Sequence, residues 1–297
     1  MGWSKIVVPM LLLTAAGTAA VWEGITVRRY TEISAKVAAP IRIVLLADLH
    51  SSIYGSGQKK LLQVIDRQHP DLLLLAGDIV DDKAPGYGAW RLLKNIGARY
   101  RCYYVSGNHE YRSGRMAQIK ENLRQHGITV LEGSSQQILI RGQKICVAGV
   151  DDPSGFRIDR TASSGSNRSG WIKQLADCGL GIRPEVYTVL CSHHPECVAD
   201  YQQYPFDLIT CGHAHGGQVR IPGICNGLYA PHQGFFPKYA GGRYQIGHTS
   251  LIVSRGLCKN RCPRVFNPPE VVTIDILPNK ANVNKKTHGR QIKEVFK

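Results

Sequence analysis

The sequence predicts a mixed α/β (α+β) domain, and three observations predict it. Short apolar runs alternate with amphipathic stretches along the chain. Five of the apolar runs empty into polar clusters: Asp48-Leu49-His50, Gly77-Asp78, Gly107-Asn108-His109-Glu110, Ser192-His193-His194-Pro195 and Gly212-His213-Ala214-His215. The first three clusters recur at intervals of 30 residues, counted from Asp48 to Asp78 to Asn108, which is the length of a βαβ unit. With 297 residues, 43% of them hydrophobic and 20% charged, the chain can bury a sizeable core, and its composition excludes a disordered polymer.

Taken in order, residues 6–21 form an uninterrupted, weakly polar stretch bracketed by Trp3 and Trp22 and preceded by Lys5. The tryptophans are 19 residues apart, roughly 28 Å along a helix, close to a hydrocarbon core. An N-terminal transmembrane anchor over 1–27 is therefore predicted, in preference to a signal peptide cleaved after Thr18-Ala19-Ala20. Arg28, Arg29 and Lys36 outnumber Lys5, which tilts the main domain toward the cytoplasmic face. A linker is expected over 28–40, the main domain over 41–277, and a basic, disordered tail over 278–297.

Strands are predicted at 41–47, 71–76 and 103–105, separated by helices at 58–68, which His69-Pro70 stops, and at 89–96. A helix at 116–125 precedes strands at 128–131, 136–140 and 144–150, whose intervening turn residues suggest a second, antiparallel sheet. The stretch 152–170 reads as a loop that would act as a lid if near a site. Strands at 187–191 and 208–211 each end at a histidine cluster, and 271–277 closes the domain.

The formal charge of +15 raises nucleic acid and anionic membrane as partners. Part of the surplus sits in the tail, and no aromatic-interleaved basic groove stands out, so no specific nucleic acid is expected. Nine cysteines include no Cys-x-x-Cys pair. Cys102, Cys146, Cys191 and Cys211 fall in apolar runs and behave as small buried hydrophobes. The redox state of Cys225, Cys258 and Cys262 stays open, since a disulfide there depends on export.

Two carboxylates, one amide and four imidazoles suit borderline divalent ions, Mn²⁺ first, with Fe²⁺ or Zn²⁺ as alternatives. Two such ions can clamp a phosphoryl group and activate a water between them. The ordered clusters resemble the calcineurin-like metallophosphoesterase superfamily. The continuations Gly216-Gly217-Gln218-Val219-Arg220-Ile221-Pro222, Ser254-Arg255-Gly256-Leu257 and Asn267-Pro268-Pro269-Glu270 are similar to its membrane-anchored bacterial phosphodiesterase branch. The resemblance implies a four-layer α-β-β-α sandwich and a dinuclear centre. Asp48, His50 and His215 would hold the first ion, Asn108, His193 and His213 the second, and Asp78 would bridge. His109 would be catalytic, facing the scissile phosphate. His194 competes with His193, although the family's His-x-Pro pattern selects His193. Glu110 is expected to orient its neighbour or cap a helix, Asp81 and Asp82 to be solvated, and Arg220, His232 and His248 are candidates to approach substrate.

The expected function is hydrolysis of a phosphodiester or a lipid-linked pyrophosphate at a membrane. Hydrolysis of a UDP-diacylglucosamine lipid precursor is the sharper alternative. A nuclease is a second, and a non-catalytic binding module on the same fold a third.

Overall fold

Apolar runs too short to wrap a helix become strands whose alternate side chains are buried on both faces, and this pattern sets the layers. The computed structural model describes residues 17, 20–156, 168–259 and 264–279. Its strands and helices are β1 (Thr26–Ser34), β2 (Ile41–Leu46), α1 (Lys59–Asp66), β3 (Leu72–Ala76), α2 (Tyr87–Gly97), β4 (Cys102–Val105), α3 (Asn108–Arg112), α4 (Met116–Gln125) and β5 (Ile128–Val130). There follow β6 (Ser134–Ile140), β7 (Gln143–Gly149), α5 (Arg168–Leu180), β8 (Tyr187–Cys191), α6 (Val198–Tyr201) and β9 (Leu208–Cys211). The last are β10 (Tyr229–Ala230), β11 (Gly234–Phe235), β12 (Gly242–Ile246), β13 (Thr249–Val253) and β14 (Glu270–Pro278).

Two six-stranded sheets result, ordered β1-β14-β2-β3-β4-β5 and β12-β13-β9-β8-β7-β6. Leu72, Leu74 and Ala76 of β3 point between the sheets, together with Ile43, Leu45, Val147 and Val189. Leu73 and Leu75 point the other way, onto Leu61, Ile65, Leu92 and Ile96 of α1 and α2. On the far side, Leu190 and Ile209 pack against Trp171, Leu175 and Tyr201 of α5 and α6. Three buried clusters thus separate four layers, helix, sheet, sheet, helix. Cutting Leu74 to Ala would leave a cavity between the sheets and cost about 2–5 kcal/mol.

Two expectations are corrected. The stretch 28–40 is no simple linker, because β1 occupies much of it and pairs in parallel with β14 from Thr26↔Glu270 to Ser34↔Pro278. The second sheet is not simply antiparallel. Its rims are hairpins, β6–β7 and β12–β13, but β7, β8, β9 and β13 run parallel, as strands joined by crossovers do. Most of the expected anchor lies outside the described residues, as do Cys262, the centre of the 152–170 loop and nearly all of the tail. Among the described residues, no helix is long and apolar enough to cross a membrane.

Candidate dinuclear metal site

The carboxyl ends of β2, β3, β4, β8 and β9 open onto one edge, and the polar clusters follow them directly. Five of the seven predicted ligands have left-handed backbone: Asp48, His50, Asp78, His213 and His215, with φ of 45–69°. That region costs about 1–2 kcal/mol for a side-chain-bearing residue, so the surrounding structure must hold it. It does so by lacing the two loops together. Asp48 N–H donates to the Gly77 carbonyl at 3.1 Å, His50 N–H to Asp78 at 2.9 Å and Ser51 N–H to Ile79 at 3.1 Å. Close approach by glycine completes the frame. A Cβ on Gly107 would come within 2.3 Å of Asp78 Oδ1, and one on Gly256, at φ 78°, within 2.6 Å of Asp48 Cβ.

The seven side chains converge. His50 Nε2 lies 3.2 Å from His215 Nε2, and His215 Nε2 lies 3.6 Å from Asp48 Oδ1. His213 Nδ1 is 3.1 Å from Asn108 Oδ1 and 3.3 Å from His193 Nε2. Asp78 Oδ2 sits between the two groups, 3.6 Å from His50 Nε2 and 3.3 Å from His193 Nε2. Ligand atoms of Asp78, His193 and His213 all fall within 4.8 Å of one another.

The electrostatics suit a cation. Burial pushes the Asp48 carboxyl up to about 6. Burial would raise Asp78 as well, but His193, His50 and His109 around it hold it well below the usual carboxylate range. Burial drives His213 and His215 well below the ordinary imidazole value, so both present neutral lone pairs. His193 Nδ1–H donates to the Ala76 carbonyl at 2.7 Å, which leaves its Nε2 facing the cluster. Ring nitrogens facing one another beside two buried carboxylates are a donor set that a divalent ion satisfies. Burial opposes charge on His50 and His193, yet the carboxylates around them raise both above the ordinary imidazole value.

His194 does not compete for that place. Its Nε2 lies 2.8 Å from Asp152 Oδ2 and its Nδ1 2.8 Å from Glu196 Oε1. Burial opposes its charge, yet the two carboxylates raise its pKa to about 9. Glu110 caps, as expected. It is fully buried, and its carboxylate accepts the backbone N–H groups of Gly107, Asp78, Ile79 and Val80 at 2.7–3.0 Å, fixing the loop after β3 to the start of α3.

Asp81 and Asp82 are not solvated, which corrects the sequence reading. His50 Nδ1–H donates to Asp81 Oδ2 at 3.0 Å, and Asp81 Oδ1 also accepts from the N–H groups of Lys83 and Ala84. His109 Nδ1–H donates to Asp82 Oδ1 at 2.7 Å, its backbone N–H donates to Asp78 Oδ1 at 2.8 Å, and burial lowers its pKa. His109 lines a cleft of about 690 Å³ together with His50, His215, Asp81, Asp82 and Lys259. The sequence carried one sign of these two carboxylates, a doubled Asp three residues past Asp78, but not the histidines they hold.

The later motifs brace the same loops. Asn267 Nδ2 donates to the His215 carbonyl at 2.7 Å, and Leu257 N–H donates to Ala47 at 3.0 Å behind Asp48. His232 Nδ1 reaches to 2.9 Å from His213 Nε2. Arg220 is half-buried near Arg255 and Glu270. His248 lies in the turn between β12 and β13, at the end of the sheet away from the site, beside Asp207 and Glu32.

The calcineurin-like phosphoesterase family matches residues 41–217. The metallophosphoesterase YkuE of Bacillus subtilis (strain 168) is 28% identical over 242 residues, covering 79% of this chain and 78% of its own. The phosphodiesterase YaeI of Escherichia coli (strain K12) is 26% identical, over 81% of this chain and 83% of its own. The transmembrane protein with metallophosphoesterase domain of Bos taurus is 26% identical over 71% of this chain, which spans 47% of that relative's length.

Proposed function

The chain belongs to the calcineurin-like phosphoesterase family, and from that premise we propose that it is a phosphodiesterase or pyrophosphatase acting on a membrane-associated substrate. The observation that carries the catalytic part is Asp78 Oδ2, placed between the Asp48–His50–His215 group and the Asn108–His193–His213 group. Those two groups would each hold a divalent ion, with Asp78 shared between them. Bound there, the ions would clamp phosphoryl oxygens and bring the pKa of a water down to about 7.

The chain's own residues supply the rest. Asp82 holds His109 Nδ1–H, so Nε2 is the atom turned to the reacting group. Burial keeps that imidazole neutral at rest, and an arriving phosphate anion would favour its proton, which it can then pass to the leaving-group oxygen. Asp81 fixes the ring of His50 in the same way that the Ala76 carbonyl fixes His193.

The membrane part is supported by the tryptophan-bracketed apolar stretch and by relatives described as transmembrane proteins, such as the bovine one. The test is a comparison of kcat/KM for matched diester, pyrophosphate and monoester substrates with Mn²⁺ present. Diesters or pyrophosphates are expected to be cleaved faster, and a preference for monoesters would overturn the reading.

A further inference from the structure

We propose that the hairpin of β10 and β11, with the turn before it, is the face this domain lays against an anionic phospholipid bilayer. The proposal rests on the membrane-associated reading above and locates where that contact is made. In a water-facing hairpin, one face is polar. Here Tyr229 pairs with Phe235 on one face, their rings 5.4 Å apart, and both are exposed, Phe235 at 71%. On the next rung Phe236 N–H donates to the Leu228 carbonyl at 2.8 Å, and Phe236 is exposed at 71% as well. One face of the finger is therefore apolar and open at Tyr229 and Phe235, with Phe236 open beside it, while Ala230 of β10 is buried against the domain. Ile224, in the preceding turn, is 84% exposed. Such a surface is costly in water unless something apolar receives it.

Two observations name the receiver. The first is where the apolar N-terminal sequence joins the domain. Leu228 N–H donates to Val219 at 2.9 Å, Arg220 N–H to Val265 at 2.9 Å and Phe266 N–H to Ala20 at 2.6 Å, so one hydrogen-bonded run leads from the hairpin to the end of the apolar stretch. Val21, Trp22 and Phe266 beside that junction are exposed too. The second is charge. Lys238 follows the hairpin directly, its Nζ 5.1 Å from the Tyr239 ring, and the chain carries a formal +15. Exposed aromatic side chains beside a lysine match the headgroup level of a membrane carrying anionic lipid. The hairpin turn also carries His232, which reaches His213, so a bilayer met by the flanks would place lipid head groups at the margin of the metal site.

The test uses the full chain reconstituted in vesicles of phosphatidylethanolamine and phosphatidylglycerol that contain a phospholipid bearing an acyl-chain diazirine. Photolysis is expected to leave lipid adducts on residues 221–236. Adducts confined to the N-terminal stretch would overturn the proposal. So would cross-links showing that residues 1–19, or a second copy of the chain, cover the hairpin instead. A companion variant, Phe235→Ser with Phe236→Ser, alters two exposed side chains outside the site. It should retain its rate on a water-soluble diester and lose the hairpin adducts. Should vesicle-borne substrates prove not to be cleaved at all while the adducts remain, the substrate reading fails and the docking face stands. Vesicle-borne turnover without hairpin adducts would do the opposite, sinking the docking face and leaving the substrate reading intact.

Discussion

The two halves of the candidate metal site differ in what surrounds them. The His50 and His215 side chains are 7% and 14% exposed and face the cleft, whereas His193 and His213 are 0% and 3% exposed and face the protein. Strained backbone serves both, since Asp48, His50 and His215 on the open side and His213 on the closed side all have positive φ, and on the open side it is braced by Gly256, Leu257 and Asn267. The closed half adds packing and a polar network of the buried His194, Asp152 and Glu196, with the exposed His232 at its margin. Where water and substrate must enter, side chains cannot be walled in, so the main chain carries the constraint alone. Where nothing enters, burial adds to it.

That contrast can be broken or sharpened by substitution, taken in order of the effect expected on turnover. Asp78 belongs to both halves, and Asp78→Ala should abolish measurable hydrolysis and lower bound Mn²⁺ from about two ions per chain, as elemental analysis would report. Retention of both ions would break the bridging assignment. His109 is no predicted ligand of either half, although its ring stands edge-on to His50 at 4.3 Å. His109→Ala should keep both ions and lose on the order of 10²–10⁴ in kcat, most with a poor leaving group, in single-turnover assays. Asp81→Asn acts on the open half alone, through His50, and should weaken one of two metal-binding steps by about 10–100-fold in calorimetric titration. Equal weakening of both steps would erase the distinction.

His194→Asn belongs to the closed half and should change turnover least, showing instead in the stability of the metal-free protein. The two carboxylates beside His194 raise its pKa above the unfolded value of 6.5 to about 9. The stabilisation from its charge is therefore fully present below about pH 6.5 and disappears as the pH rises through about 9. Denaturant unfolding should find the variant less stable by a few kcal/mol at pH 6, with a much smaller deficit near pH 9.5.

Legibility in the sequence followed the same divide between local and remote partners. Asp48, His50, Asp78, Asn108, His213 and His215 stood out because each lies in a polar cluster directly after its own strand. Boundaries were close where both faces of a strand are apolar, as at Leu72–Ala76 and Leu208–Cys211. β1 was missed because it is a sheet edge. Arg28, Arg29 and Glu32 interrupt it and most of its side chains face water, so its apolar signal is that of a linker. Asp81 and Asp82 were misjudged because the histidines they hold arrive from 31 and 27 residues away. The His-x-Pro pattern selected His193 over His194 by resemblance, and the physical reason became visible with Asp152 and Glu196 on either side of His194.

The position of β14 has a consequence for synthesis. It lies between β1 and β2, so Thr26 finds its partner 244 positions later, at Glu270. As the chain leaves the ribosome, the second sheet has all its strands by Val253, but in the first β1 is still parted from β2–β5. Until residue 278 emerges, β2 presents an unpaired apolar edge at Ile41, Ile43 and Leu45, a template for association with other nascent chains. A ribosome stalled just short of β14 would therefore carry all of the predicted metal ligands on a first sheet still missing the strand that joins β1 to β2.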